Sequence, residues 1–235
     1  MTLGRRRLLA ALGGAAATGI AGCVGSSGGE GPSTEESGAG DDAPTLLSHP
    51  AGRQLADQPF LGPPPGEATG TIVAFEDPSC PTCARFERET VPQIRKNLTE
   101  PGDATFVFRG IPVVYEWGGP ATRALEAAFA ADPDAFWALA EHYFANQSRF
   151  QGERTDVVYA WTQDALEAET SVDAAAVVEA AQAGDADAAV GVDLDASETA
   201  DVRATPTVFL FRDGEFRTQV RGMARYDVIA GALGL

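Results

Sequence analysis

Two cysteines with two residues between them, Cys80 and Cys83, carry the most specific chemistry in this sequence. Apolar residues recur at helical spacing after them, so Cys80 is predicted at or just before the first turn of a helix and Cys83 one turn in. The unpaired N–H groups and the positive dipole end of a helix N-terminus favour a thiolate over a thiol. We therefore expect Cys80 to exchange a disulfide with another protein and Cys83 to resolve the mixed disulfide.

The cysteine pair lies between two predicted strands. The first, Thr71–Glu76, is a short apolar run typical of a buried parallel strand, and a turn sequence follows it at once. The second is Ala104–Arg109, which follows the helix. A strand, a helix and a strand in this order predict a right-handed parallel crossover unit.

The rest of the chain predicts a helical segment and then a return to strands. The predicted helices are Ala121–Ala131, one capped by Asp132 that runs through Phe144, Thr155–Ala168, Ser171–Ala183, a short one near Asp185–Val190 and a closing one at Arg225–Leu235. Thr207–Arg212 and Glu215–Arg221 predict a hairpin around Asp213-Gly214. We also expect an edge strand between Leu55 and Leu61. The pattern predicts an α/β fold, a central mixed sheet flanked by helices, with a helical insertion at about 120–195.

Composition limits the classes of function. Of the 235 residues, 44% are hydrophobic, enough for one domain with a sizeable core. The formal net charge of −17 repels nucleic acid and anionic lipid headgroups, which argues against both as partners. Many acids with a single lysine, Lys96, are typical of proteins from salt-adapted prokaryotes, and the alternative is an ordinary acidic secreted protein.

The N-terminal region predicts export. Residues 1–22 combine a twin-arginine n-region, Arg5-Arg6-Arg7, with an apolar stretch too short to span a bilayer stably. The sequence Ile20-Ala21-Gly22-Cys23 resembles a lipobox, in which Cys23 becomes the lipid-bearing N-terminus. We thus expect a lipoprotein on the outer face of the cytoplasmic membrane. The alternative is a plain signal peptide with an accidental cysteine.

A tether is predicted between this segment and the domain. Residues 23–44 are rich in Gly, Ser and acidic residues and cannot bury enough apolar surface to fold. The folded domain is therefore expected over residues 45–235.

The cysteine motif, the helical insertion and Ala204-Thr205-Pro206-Thr207 before a strand together resemble the thioredoxin superfamily, and within it the DsbA-like branch. The resemblance covers the chain from about Thr71 to its end. It implies that Cys80 attacks and Cys83 resolves. It also implies that Pro206 is a cis-proline facing the disulfide and that the Thr205 backbone pairs with the substrate chain.

Two positions depart from that family pattern. Many members carry a buried acid six residues before the attacking cysteine, where this chain has Ala74. Glu76 and Asp77 lie closer and are candidate proton relays, or else surface and capping residues. The dipeptide between the cysteines is Pro81-Thr82, without the cationic histidine of the strongest oxidants, so we expect a less oxidising protein.

Three functions remain open at this stage. The first is an exported, membrane-tethered thiol-disulfide oxidoreductase without a cofactor, acting on reduced or misoxidised exported proteins and served by a membrane redox partner. The second is a lipoprotein binding module that keeps Cys80 and Cys83 as a structural disulfide. The third is a metal chaperone, disfavoured because no His or Met lies near the cysteines, so we predict no metal site.

We make simple predictions for two histidines and two asparagines. His49 and His142 are expected to be solvated. Asn97 and Asn146 stand in N-x-S/T sequences that are candidates for glycosylation in an exported protein.

Overall fold

The structure is a computed structural model that describes residues 44–235. The predicted signal peptide, the lipid attachment at Cys23 and the tether through residue 43 lie outside the described residues.

Five strands form one mixed sheet in the order β1-β3-β2-β4-β5. They are β1 Phe60–Leu61, β2 Gly70–Glu76, β3 Ala104–Gly110, β4 Thr207–Arg212 and β5 Glu215–Arg221. The two central strands β2 and β3 are parallel, and every other pair in the sheet is antiparallel. The predicted strand–helix–strand unit and the C-terminal hairpin are both confirmed.

Strand β2 is buried along its whole length because both faces of the sheet are covered. Ile72 and Ala74 pack into a large apolar cluster with the helices of one side. Val73 and Phe75 point the other way, into a smaller cluster that includes Leu55. This alternation explains why the strand has a continuous apolar sequence rather than an alternating one.

Helices supply the covering layers. They are α1 Pro81–Glu89, α2 Val91–Ile94, α3 Gly118–Ala131, α4 Pro133–Ala145, α5 Gln147–Phe150, α6 Thr155–Glu169, α7 Ala174–Ala183, α8 Asp187–Thr199 and α9 Tyr226–Leu233. Two 3₁₀ turns, Pro50–Gly52 and Leu55–Asp57, and a π-helical turn, Arg95–Thr99, complete the regular structure of residues 44–235. The helical insertion thus runs from α3 to α8, slightly beyond the predicted limits.

The helix after the cysteines is interrupted, contrary to the single helix expected. It stops at Glu89, and α2 begins one residue later with Pro92 at its second position. Proline has no backbone N–H, so it cannot donate the hydrogen bond that would continue the helix from the preceding turn. The Thr90 hydroxyl at the break donates to the carbonyl of Ala224, 2.9 Å away, so a tertiary contact fixes the bend.

Three other predicted elements are present but have different bounds in the structure. The short helix near Asp185 begins at Asp187 and runs for 13 residues, because its buried face packs under the sheet. Helix α7 starts after Asp173, whose carboxylate accepts from the Ala176 N–H, and not at Ser171. Most of the expected edge strand is a 3₁₀ turn, and only Phe60–Leu61 pairs with β3.

Neither histidine is solvated as predicted. His49 caps the first 3₁₀ turn through Nδ1, which accepts from the Ala51 N–H at 3.0 Å, and its ring stacks on Phe216 at 4.9 Å between centroids. His142 contacts Glu169 at 2.8 Å and leaves only 13% of its side chain exposed. Their partners come from distant elements, which sequence periodicity does not reveal.

A buried ion pair joins the insertion to the sheet. The Arg109 Nε of β3 lies 2.8 Å from the Asp193 carboxylate of α8, and neither side chain is more than 1% exposed. The other guanidinium nitrogens of Arg109 donate to the carbonyls of Ala51 and Arg53. Asp193 also accepts from the Gly110 N–H. The Arg109 guanidinium therefore connects the segment before β1 to the sheet and to α8.

Among residues 44–235, no helix has both the length and the apolarity needed to cross a bilayer. Over the same residues, no three His, Cys, Asp or Glu side chains are grouped so as to hold a metal ion.

Candidate active site

The register of the sheet brings two distant segments together. Strands β2 and β4 are antiparallel, with Phe75 opposite Thr207, so the turn that follows β2 lies beside the segment that precedes β4. The Cys80 thiol donates to the Thr205 carbonyl at 3.3 Å across a sequence separation of 125 residues. The cysteine motif and the Thr205-Pro206 segment therefore form one site, as the sequence resemblance implied.

Helix α1 begins at the cysteine pair. Cys80 is its N-cap residue with an extended backbone, and Pro81 occupies the first helical position, where no N–H donor is needed. The Cys80 sulfur accepts from the Cys83 backbone N–H at 3.4 Å. The predicted placement, with Cys80 just before the first turn, is confirmed.

This environment lowers the pKa of Cys80 to about 6. The hydrogen bond from the Cys83 thiol has the largest effect, and burial opposes it. The Thr205 side chain and the backbone N–H groups of Cys83 and Thr82 lower the pKa further. The Thr205 hydroxyl makes no hydrogen bond within residues 44–235, so it is free to turn toward the Cys80 thiolate. At neutral pH the Cys80 sulfur is thus mainly a thiolate.

Cys83 has the opposite character. Its side chain is fully buried, and burial is the main reason that its pKa lies well above the usual value. The hydrogen bond it gives to Cys80 and the nearby charge of Glu76 raise its pKa further. Both cysteines are free thiols in this structure. The pair therefore combines an ionised, reactive Cys80 sulfur with a protonated, less reactive Cys83 sulfur.

Access to Cys80 is narrower than the sequence suggested. We expected an exposed sulfur, but only 5% of the residue surface is accessible, against none for Cys83. Thr205, whose carbonyl contacts the Cys80 thiol, is itself 8% exposed.

The peptide bond between Thr205 and Pro206 is cis, as predicted. Both residues are buried, and the Pro206 carbonyl accepts from the Gly222 N–H at 2.7 Å. This hydrogen bond connects the segment to Gly222, the residue that follows β5.

Asp77 binds backbone and hydroxyl donors with both carboxylate oxygens. One oxygen accepts from the N–H and hydroxyl of Ser79, and the other accepts from the N–H groups of Val113 and Val114 at 2.7 Å each. The Ser79 hydroxyl in turn accepts from the Tyr115 N–H. These contacts favour a structural role for Asp77, which joins the cysteine turn to the loop between β3 and α3.

Glu76 has a different environment. It is completely buried, and neither carboxyl oxygen meets an N–H or hydroxyl donor within residues 44–235. Burial, and then the Glu87 carboxyl, raise the pKa of Glu76 well above its usual value. The charge of Glu76 raises the pKa of Cys83, and the charge of Cys80 in turn raises the pKa of Glu76. Of the two candidate relays, Glu76 alone combines closeness to the thiols with an unoccupied carboxyl group.

Two residues of the site were missed by the sequence analysis. Gln147 of α5 donates its side-chain amide to the carbonyls of Pro78 and Cys80, each at 2.8 Å. Glu87 faces Glu76, and its place four residues after Cys83 on α1 was the only signal that could have identified it. The contact of Gln147 has no sequence signal, because it depends on how the insertion packs.

A family model described as thioredoxin matches residues 57–222, most of the chain. The chain belongs to the thioredoxin family. The match includes the cysteine pair, the helical insertion and the segment around Pro206, all of which form parts of the thioredoxin fold seen here.

Relatives within the family are disulfide bond formation proteins. Disulfide bond formation protein D of Bacillus subtilis (strain 168) is 29% identical over 158 residues, which are 66% of this chain and 68% of that protein. The crystal structure of oxidised BdbD from Bacillus subtilis has a TM-score of 0.67 and 25% identity, and the alignment covers 83% of this chain and 97% of that chain.

A third similarity concerns the fold alone. The crystal structure of Wolbachia pipientis alpha-DsbA1 has a TM-score of 0.63 at 17% identity, over 77% of this chain and 90% of that chain. The thioredoxin-like α/β fold with a DsbA-type helical insertion is thereby established.

Proposed function

We propose that this chain is a protein thiol-disulfide oxidoreductase that exchanges disulfides with exported client proteins through Cys80 and Cys83. In the oxidised protein, a client thiolate attacks the Cys80 sulfur and the bond between the two cysteines breaks. The electron pair of that bond remains on the Cys83 sulfur, which then takes a proton. A second client thiolate attacks the client sulfur of the mixed disulfide, so the client gains a disulfide and Cys80 leaves as a thiolate.

One observation carries the proposal. The Cys80 sulfur lies at a helix N-terminus and accepts a hydrogen bond from the Cys83 N–H, and its pKa is lowered to about 6. A thiolate that is stable at neutral pH is both a competent nucleophile and a good leaving group. A buried structural disulfide needs neither property.

The same observation supports the direction of exchange. Stabilising the Cys80 thiolate stabilises the reduced protein relative to its disulfide form, which favours transfer of the disulfide to the client. The names of the Bacillus relatives agree with disulfide formation. Thr82 supplies a backbone N–H but no cationic ring to this thiolate, so we expect a moderate oxidant. The reduced protein then needs reoxidation by a membrane redox partner.

A pair of cysteine variants tests the proposed activity. The oxidised wild-type protein should introduce disulfides into a reduced, unfolded client, and Cys80→Ser should abolish this activity. Cys83→Ser cannot form the internal disulfide and should lose this activity too, but its Cys80 thiolate should attack a disulfide-containing client and accumulate as the mixed disulfide, because no Cys83 thiol remains to release it. Refolding yield and non-reducing electrophoresis report the two outcomes.

The binding-module hypothesis gives different results in the same experiment. If Cys80 and Cys83 form a structural disulfide, the protein will not react with a reduced client, and Cys83→Ser will not accumulate a mixed disulfide with a disulfide-containing client. Wild-type protein whose disulfide resists exchange at all pH values would refute the proposed function.

We further propose that residues 1–22 direct twin-arginine export and that Cys23 carries lipid on the outer face of the cytoplasmic membrane. The support is the sequence pattern alone. Mass analysis of the protein purified from its native membranes should find a lipid-modified Cys23 at the N-terminus. An unmodified cysteine, or a different first residue, would contradict this proposal.

The acidic surface supports a high-salt environment for this activity. Like charges repel one another in a chain with a net charge of −17, and salt screens that repulsion. The melting temperature should therefore rise between dilute and molar KCl, and more than in a non-electrolyte of equal osmolality. Equal effects of the two solutes would contradict salt adaptation.

A further inference from the structure

The charges of this chain are unevenly distributed along the sequence. The whole chain has 34 acidic residues against 17 lysines and arginines, which gives its net charge of −17. Residues 202–225, which include the Thr205-Pro206 segment and the hairpin of β4 and β5, instead contain five arginines against two acidic residues. Positive charge is therefore concentrated in the part of the chain that contacts Cys80.

Two of these arginines lie beside the Thr205-Pro206 segment. Arg203 precedes Thr205 by two residues, so their Cα atoms are at most about 7 Å apart. Arg221 pairs with Thr207 across β4 and β5, and the N–H of the residue after Arg221 donates to the Pro206 carbonyl at 2.7 Å. The first arginine thus belongs to the segment that carries the cis peptide bond, and the sheet holds the second beside it.

The two arginine side chains share one carboxylate. Arg203, with 76% of its side chain exposed, forms an ion pair with Asp201. The Nη2 atom of Arg221 is 4.0 Å from the other oxygen of the same carboxylate, which is too far for a hydrogen bond. The Nε of Arg221 has no acceptor among residues 44–235. These three side chains therefore carry a net charge of +1, and their hydrogen-bonding capacity is not used up within the described chain.

Protection of a sheet edge explains only one of the two arginines. Strand β5 is at the edge of the sheet, and charged side chains on an edge strand discourage pairing with other chains. Arg221 is on that strand, but Arg203 lies in the loop before β4. The shared carboxylate that brings them together therefore needs another explanation.

A client bound to Cys80 must pass close to these side chains. In a mixed disulfide the Cα atoms of the two cysteines are about 5.5–6 Å apart. The Cys80 sulfur is itself 3.3 Å from the Thr205 carbonyl, two residues from Arg203. An extended client advances about 3.3 Å per residue, so side chains within about three residues of its cysteine can reach the arginines. A carboxylate at such a position can accept two parallel hydrogen bonds from a guanidinium.

We propose that Arg203 and Arg221 form a specificity site that binds an aspartate or glutamate side chain within about three residues of the client's reactive cysteine. This inference rests on the proposed disulfide exchange and names its substrate class, acidic exported proteins. Long-range repulsion between two acidic proteins is screened in high salt. The short-range contact with the arginines then decides which client segment is held at Cys80.

The test uses two reduced peptides, each with two cysteines, that differ only in having glutamate or glutamine on both sides of each cysteine. Each peptide is mixed with the oxidised protein in 1 M KCl, where the screening length is about 3 Å. Arg203→Gln and Arg221→Gln should each lower the ratio of the glutamate-peptide rate to the glutamine-peptide rate by about threefold, the effect of a partly exposed ion pair. Quenched mass spectrometry measures the peptide disulfide.

Arg217→Gln is the matched control. Arg217 is on the same strand as Arg221, its side chain is 34% exposed against 36%, and it pairs with Glu215 at 3.8 Å. It lies four residues, or about 13 Å, from Arg221. All three variants lose the same charge and meet the same two peptides, so net charge and peptide reactivity cancel in the comparison. The rate ratio of Arg217→Gln should equal that of the wild-type protein.

Charge reversal gives a second readout that does not depend on loss of function. Because Arg203 is largely exposed, Arg203→Glu should fold normally. Its rate with a peptide that carries lysine in place of glutamine, relative to the glutamine peptide, should rise by about threefold over that of Arg217→Glu. Equal ratios in these two variants would contradict the specificity site.

The outcomes distinguish this inference from the proposed function. An unchanged glutamate-to-glutamine ratio in Arg203→Gln and Arg221→Gln would overturn the inference, as would an equal fall in Arg217→Gln. Either result leaves the proposed function intact, because both peptides are still oxidised. A wild-type protein that oxidises neither peptide would instead refute the proposed function, and the inference with it.

Discussion

At the residue scale, the site depends on the contrast between two chemically identical side chains. Cys80 sits at a helix N-terminus beside Thr205, and its pKa falls to about 6. Cys83 lies one turn further into the same helix, fully buried, and its pKa rises. The place of Cys80 at the start of a predicted helix indicated which sulfur attacks. The opposite pKa shifts come from burial and from Thr205, which only the folded chain brings to the pair.

The Thr205 hydroxyl can be tested without changing the backbone. Thr205→Val should raise the pKa of Cys80 by about one to two units, because a hydrogen bond to a charged group contributes about 1.5–3 kcal/mol. The pH dependence of Cys80 alkylation measures this shift. Thr207→Val removes a hydroxyl that bonds to the Ala204 carbonyl and is the control. Equal alkylation midpoints in the two variants would argue against a role for Thr205.

The same pKa predicts how the stability of the reduced protein depends on pH. The Cys80 pKa is lower in the folded state than its ordinary value of 9.0, so the thiolate stabilises the fold above that value. This contribution is lost as the pH falls toward about 6. In Thr205→Val this contribution should be smaller and should be completely lost at a higher pH, as seen by urea unfolding of the reduced protein.

At the element scale, three segments hold the N-terminus of α1 in place. Asp77, directly after β2, accepts from the N–H groups of Val113 and Val114 in the loop before α3. Gln147 of α5 donates its amide to the carbonyl of Pro78. The sequence predicted the strand, the start of the helix and the insertion. It did not predict these contacts. Local sequence does not show which distant residue a polar side chain will contact, and the partners here are some 35 or 70 residues away.

Two adjacent glycines in α3 test this packing. An added Cβ at Gly118 would lie 2.8 Å from the Asp77 carboxylate and 2.9 Å from the Ser79 hydroxyl, whereas one at Gly119 would meet nothing within 4 Å. Gly118→Ala should therefore destabilise the protein by about 1–3 kcal/mol. Gly119→Ala should be neutral or stabilising by up to about 1 kcal/mol.

Urea unfolding measures both glycine variants. The alkylation midpoint of Cys80 gives a second readout, because Ser79 directly precedes that cysteine. Similar unfolding free energies for the two variants would show that the turn at Asp77 moves aside without cost.

At the scale of the whole molecule, the insertion and the sheet form one structure around the buried Arg109–Asp193 pair. The Arg109 guanidinium also holds the backbone before β1 through Ala51 and Arg53. In the sequence Arg109 looked like the polar end of a strand. It is buried because α8 and the segment before β1 cover that end of the sheet.

Removing one partner of this pair should be costly. Arg109→Leu leaves the Asp193 charge buried and unpaired and should lower the free energy of unfolding by about 3–5 kcal/mol. Arg123→Leu is the control, since its pair with Asp187 is 43% and 56% exposed and contributes about 1 kcal/mol or less.

A double variant keeps this prediction testable if Arg109→Leu does not fold. Arg109→Leu with Asp193→Leu removes both charges and should recover part of the lost stability. Equal destabilisation by Arg109→Leu and Arg123→Leu would contradict the importance of the buried pair.

The sequence by itself determined the elements and the reactive pair. Apolar runs, helical patterns, turn residues and the two-residue cysteine spacing are local properties, and they predicted the strand–helix–strand unit, the hairpin and the helix start at Cys80. The resemblance to the thioredoxin superfamily added the segment around Pro206. Tertiary structure decided which groups surround the sulfurs. Glu87 beside Glu76, Gln147 at the cysteine turn and Arg109 under α8 depend on packing between distant segments. Burial changes the proton affinity of these groups because solvent is excluded from them, a condition that no local pattern encodes.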